Sequence, residues 1–175
     1  MSDFSDQLHL KTTQTTDALQ ILSKAGAKGY VFQPTNGWVT FLAQERNKLS
    51  AYNEGLLLHF SRTSDFLGWG FTLYEGTELV SEYSIQDYFD GFIINKEQLN
   101  FDKLVSVLAL DEATQEALNT LFSIDNPEEA EGGDFSFAQL LGLEHIEYLA
   151  FEVVDADIDN VLEEYEDLIC YNPAS

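Results

Sequence analysis

Near Gly91 the apolar residues change their spacing, and that change limits the folds open to this chain. Before it, they fall in short runs rich in β-branched and aromatic side chains, as strands do. After it, they recur every third or fourth residue, as on one face of a helix. The switch predicts the α+β class: a mainly antiparallel sheet built from helix-hairpin units, with helices on one face and further helices towards the C-terminus. The 175 residues are 45% hydrophobic and 13% aromatic, enough for a packed core and too apolar for disorder along the whole chain. An α+β sheet region, 1–91, is expected to pack as one domain with an acidic, mainly helical region, 92–175, that holds one strand.

The first strand is placed at Leu8-His9-Leu10, and Thr16-Asp17 caps a helix that runs to about Ala25 and stops at Gly26. Tyr30-Val31-Phe32 and Trp38–Leu42 read as a hairpin across Pro34-Thr35-Asn36-Gly37, because Asn-Gly supplies the positive φ that a tight turn needs. Gln44–Tyr52 reads as a second helix and Leu56–Phe60 as a buried strand. Trp69–Tyr74 and Leu79–Ile85 form a second hairpin through Glu75-Gly76. Gly37-Trp38 and Gly68-Trp69 open strands in similar contexts, which suggests an internal duplication. Downstream, helices are expected around Leu99–Leu108, around Ala117–Phe122 and at Phe135–Leu141, with a loop at Asn126–Asp134. A strand is expected at Ile146–Val154. Ile158, Val161, Leu162, Tyr165, Leu168 and Ile169 predict one final amphipathic helix.

Charge is the second constraint. The chain has 8 Lys and Arg against 31 Asp and Glu, a net charge of -23. All the basic residues lie between Lys11 and Lys103, and the 18 acids from Asp111 onward have no cation within their own segment. Phosphate binding needs clustered cations, so a nucleic-acid partner is not expected, and an anionic membrane surface would repel the chain. Cys170 is the single cysteine, so no intrachain disulfide is required. The first residues lack the cationic and apolar pattern of a secretory signal, and no apolar run approaches the roughly 18 residues of a membrane span. A cytoplasmic location is the expectation.

Few patterns carry chemistry. Asp155-x-Asp157-x-Asp159-Asn160 with Glu166 follows calcium-loop spacing, hard oxygens at positions 1, 3, 5 and 12. Asn160 stands where glycine is usual. The same carboxylates also suit a helix N-terminus, where they accept from free N–H groups. His9, His59 and His145 have no metal-ligand spacing, although Glu144 and Glu147 flank His145. Acidic neighbours disfavour a thiolate at Cys170. Neither a nucleophile elbow nor a phosphate-binding glycine loop occurs. Trp38, Phe41, Trp69, Phe71, Tyr74, Tyr83, Tyr88 and Phe89 lie in or beside strands, as core or as an exposed platform.

The run Leu73-Tyr74-Glu75-Gly76-Thr77-Glu78-Leu79-Val80-Ser81-Glu82-Tyr83, followed by Asp87-Tyr88-Phe89, resembles a family of uncharacterised bacterial proteins. Asn36-Gly37-Trp38-Val39-Thr40 is similar to a matching hairpin of that family, and Gly132-Gly133-Asp134 before Leu140-Leu141-Gly142 to its later helix. The likeness is patchy over about residues 30 to 143. It implies no activity, and the segment from Asp157 onward lies outside it.

The expected function is a non-enzymatic interaction module whose acidic half meets a basic protein. Its specific form is an immunity-type protein whose carboxylates imitate phosphate and mask a basic toxin, for example a nuclease. The binding residues expected are Glu128, Glu129, Glu131 and Asp134 in the loop, and Glu163, Glu164, Glu166 and Asp167 near the C-terminus. The alternatives are a small acid- or metal-dependent hydrolase and a calcium-stabilised structural module that uses Asp155, Asp157, Asp159 and Glu166. No catalytic residue is assigned; zinc is not expected, and no cofactor is expected unless these acids hold calcium.

Overall fold

The computed structural model describes residues 4–63, 68–88, 91–147 and 149–173, and the side chains of Phe4 and Tyr88 are not described. Phe89, named above among the strand aromatics, lies outside the described residues. Strand β1 (Phe4–Lys11) sits inside an antiparallel sheet of eight strands, between β3 (Trp38–Ala43) and β4 (Leu56–Thr63). From β4 the chain meanders outward through β5 (Gly68–Glu75) and β6 (Glu78–Tyr88) to the edge strand β7 (Gly91–Asn95). On the other side, β3 pairs with β2 (Gly29–Val31), and β2 with the C-terminal β8 (Ile169–Tyr171).

Local chemistry sets several boundaries. Asn36 and Gly37 both take positive φ, 55° and 80°, and Thr35 and Trp38 exchange backbone hydrogen bonds across them. That is the primed turn which matches strand twist. Helix α1 (Thr15–Ala25) begins one residue before Thr16, and its N-cap Gln14 makes no side-chain cap bond. The start is held by Thr12, whose hydroxyl accepts from the Gln14 N–H and donates to Asp17. Gly26, left-handed at φ 63°, closes it. The segment read as a second helix forms a 3-10 helix, Arg46–Tyr52.

Side-chain alternation sorts the core onto two faces. Leu8, Leu10, Val39, Phe41 and Leu57 point to one face and pack under α1 and Leu49 of the 3-10 helix. Trp38, Leu58, Phe60, Trp69, Phe71 and Tyr83 point to the other. There they meet α2 (Phe101–Leu108), α3 (Glu112–Phe122) and α5 (Gly133–Leu141). Helices therefore lie on both faces, because Leu8 and Leu10 give β1 an apolar side that needs its own cover. Phe137 of α5, fully buried, stacks on Phe60 and Phe71 with ring centroids 5.9 and 4.6 Å apart. Of the aromatics named above, Trp38, Phe41, Trp69, Phe71 and Tyr83 are core residues and Tyr74 is half-buried. The two helix-hairpin units differ in order. The strand that follows α1 lies outside β3, whereas the strand that follows the 3-10 helix lies directly beside β1.

The C-terminal half departs furthest from the sequence reading. Strand β7 appears where helix spacing was expected to begin, and α4 (Pro127–Ala130) forms inside the Asn126–Asp134 loop. No strand forms over the described residues of Ile146–Val154. The chain there passes beside the start of β1, and its carbonyls accept from it: Asp6 N and Gln7 Nε2 donate to Leu149 O, and Ser5 Oγ reaches Ile146 O and Leu149 O. Backbone groups satisfied in this way need no partner strand. Helix α6 (Phe151–Ala156) follows, since Phe151 and Val154, one turn apart, both bury against Tyr30, Phe32 and Leu42. The final helix α7 spans only Ile158–Glu164. Beyond it Leu168 is buried and Ile169–Tyr171 pair with the free edge of β2, so backbone pairing overrides the helical spacing.

Candidate functional site

The segment that leaves α7 turns past the β2–β3 hairpin and borders an open groove of about 390 Å³. Its floor comes from three distant parts of the chain: Phe32 after β2, His145 from the loop after α5, and Tyr165 just after α7. Phe32 is buried, and the His145 imidazole lies flat on it, centroids 4.3 Å apart and planes 15° apart. Tyr165 stands edge-on to both, at 5.1 Å from Phe32 and 5.6 Å from His145. Glu163, Glu164, Glu166 and Asp167 are exposed and line the same groove. Gln33 Nε2 donates to the Asp167 carbonyl at 2.8 Å and ties the acidic turn to the hairpin.

The surroundings set the protonation of the floor. Burial pushes the His145 imidazole below its ordinary value, against the opposing pull of Glu144 and Glu147. Burial pushes the Tyr165 phenol up, and Glu164 and Glu147 add to that. His145 also holds a left-handed backbone, φ 59°, uncommon for a residue with a side chain. At neutral pH the groove therefore offers an uncharged imidazole, a protonated phenol and several carboxylates. Lys28, beside the neighbouring β2, is committed elsewhere: its Nζ is 2.7 Å from Asp155. Such a surface attracts cations and can stack their flat or hydrocarbon parts on rings.

The other residues singled out from the sequence are dispersed. Glu128, Glu129 and Glu131 are exposed on or just after α4. Asp134, in the first turn of α5, is not a free surface acid. It accepts from Nη1 of the buried Arg62 at 3.0 Å, and Arg62 also donates to Ile146 O and lies against the Phe135 ring. That pair anchors α5 and the following loop to β4.

The calcium-spaced acids diverge. Asp155, on α6, accepts from Lys28 and from the Tyr30 hydroxyl, and these hold its carboxyl below the usual range. Asp157, between α6 and α7, accepts from Asn160 at 2.6 Å. Asp159 is in the first turn of α7, and Glu166 is at the groove. Because residues 158–164 are helical, they do not wrap as a calcium loop must. Among the described residues no group of three or more His, Cys, Asp or Glu side chains is placed to hold a metal ion.

The remaining histidines lie in β1 and β4. His9 is fully buried in β1, its Nδ1 2.8 Å from Thr40 Oγ1. His59 contacts Asp6, which also binds Arg46 of the 3-10 helix. Cys170 is exposed on β8. No helix among the described residues is long and apolar enough to cross a membrane.

Sequence reasoning found the acids of the groove but missed its floor. The available signal was Glu144-His145 with Glu147, acids flanking a lone histidine. Comparison with protein-family models, with curated proteins and with solved structures gives no match.

Proposed function

We propose that this chain is a non-enzymatic interaction module that holds a basic protein, and that its specific form is an immunity-type mask for a basic toxin such as a nuclease. The observation that carries the reading is the groove beside α7, which four exposed carboxylates line together with the rings of Phe32, His145 and Tyr165, and to which the chain beyond Lys103 brings no Lys or Arg. Carboxylates at a rim steer a cationic partner and raise its association rate, while a desolvated floor supplies contact area that slows dissociation. An overall charge of -23 extends the attraction beyond the groove at low salt. In the masking form, the carboxylates occupy the positions where a nuclease would bind phosphate.

The test is a paired capture from native lysate at low salt, eluted by a salt step. One bait is the wild-type chain; the other carries E163Q, E164Q, E166Q and D167N together. The reading predicts one basic protein enriched above background by the wild type and lost from the variant. Capture that survives the substitutions, or a diffuse set of basic proteins on both baits, would overturn it.

A further inference from the structure

The groove is more specific than a negative patch, because buried or half-buried rings and exposed carboxylates line it together. A lysine ammonium is a compact, strongly hydrated charge and gains little from a flat ring surface. A guanidinium is planar and weakly hydrated. It stacks on aromatic faces while its edge donates in a fork to carboxylates. Both halves of that requirement are present here. The Phe32–His145 stack and the Tyr165 ring line the groove, and Glu163, Glu164, Glu166 and Asp167 supply acceptors around it.

We infer that the groove binds an arginine side chain presented by the basic partner, with its guanidinium against the His145 and Tyr165 rings and its N–H edge turned to the carboxylates at the end of α7 and just after it. The inference rests on the basic-partner reading above and narrows it to one side chain. The volume supports it: about 390 Å³ falls in the range of roughly 300–1,000 Å³ typical of small-ligand sites, large enough for one long side chain and its flanking backbone. Charge complementarity supports it as well, since the chain from Leu104 to its end contains no Lys or Arg to fill the groove from within. An uncharged imidazole on the floor adds no repulsion. Gln33 acts as a positioning residue: its bond to the Asp167 carbonyl fixes the turn that carries Glu166 and Asp167.

The probe is a blocked tripeptide, Gly-Arg-Gly, compared with Gly-Lys-Gly and Gly-Gly-Gly. Binding is read from the ring resonances of His145 and Tyr165 during NMR titration of the intact chain. The arginine peptide is expected to give saturable shifts at both rings, the lysine peptide to bind roughly five-fold more weakly, as loss of one stacked cation–π contact predicts, and the neutral peptide to give none. Tyr165→Leu is expected to weaken the arginine peptide by a similar factor, while Tyr165→Phe, which keeps the ring, retains it. Should the leucine variant fail to fold, Glu166→Gln combined with Asp167→Asn reads the carboxylate half of the site in its place. Equal shifts from arginine and lysine peptides, or shifts confined to Glu128–Glu131, would overturn the inference. Carboxylate-dependent capture in the lysate test, together with no arginine preference here, would reject this inference and leave the wider reading in place.

Discussion

Lowering the pH from neutral to about 4.5 should charge His9 in the unfolded chain while it stays neutral in the folded one. Its ring is fully buried, edge-on to Trp38 and Phe60 with centroids 6.5 and 6.4 Å away. Thr40 Oγ1 donates to the Glu144 carbonyl, which assigns the His9 proton to Nδ1. Nε2 then carries the lone pair and has no hydrogen-bond partner among the described residues. Burial is the main cause that pushes His9 from 6.5 down to about 3, and the imidazoles of His145 and His59 act in the same direction. The unfolded chain therefore takes up this proton first as the pH falls, so stability declines from about pH 6.5 towards the folded value. Each pH step of one between those two values removes roughly 1.4 kcal/mol, so acidification to about pH 4.5 removes about 3 kcal/mol. The assay is urea unfolding at pH 7 and about pH 4.5 for the wild type and for His9→Gln. Both proteins carry the same 31 acids, so the difference of differences isolates His9. The wild type is expected to lose about 3 kcal/mol more than the variant. Equal losses, or an imidazole resonance of His9 that titrates near 6.5 in the folded chain, would refute the reasoning.

Other consequences follow from the same structure. Asp134→Asn removes the carboxylate charge that faces the buried Arg62 and is expected to cost about 3 kcal/mol of stability by urea unfolding, with partner capture unchanged; a cost near zero would show that the pair does not anchor α5. Millimolar calcium is expected to leave the melting temperature unchanged, since Asp155 is held by Lys28 and Tyr30 and the following residues are helical; a rise that EDTA reverses would contradict this. Raising NaCl from about 10 mM to about 150 mM is expected to raise the melting temperature, because the acids beyond Lys103 repel one another and salt of that strength screens beyond about 8 Å; a flat response would mean that the repulsion is already relieved in the fold.

What the sequence showed was local. Asn36-Gly37 identifies its hairpin because tolerance of positive φ is local to that residue pair, and Leu56–Phe60 identifies a strand through its own apolar density. The 146–154 segment misled because its carbonyls are satisfied by Ser5, Asp6 and Gln7, more than a hundred positions earlier. Ile169 continues a helical spacing, yet its backbone pairs with Val31 across an edge that only the assembled sheet exposes. The candidate site divides in the same way. Its carboxylates were legible because they lie close together in the chain, whereas Phe32, His145 and Tyr165 meet only through the tertiary fold. Asp134 was legible only as an acid in an acidic loop, and its pairing with the buried Arg62 comes from the tertiary fold.

The central claim is that the groove beside α7 is where a basic partner sits. Amide hydrogen exchange of the chain, alone and in complex with the protein it captures, tests this directly. The account predicts slowed exchange in residues 32–35, 144–147 and 163–168, and little change in 128–131. Unchanged exchange at the groove, with protection appearing elsewhere on the chain, would contradict it.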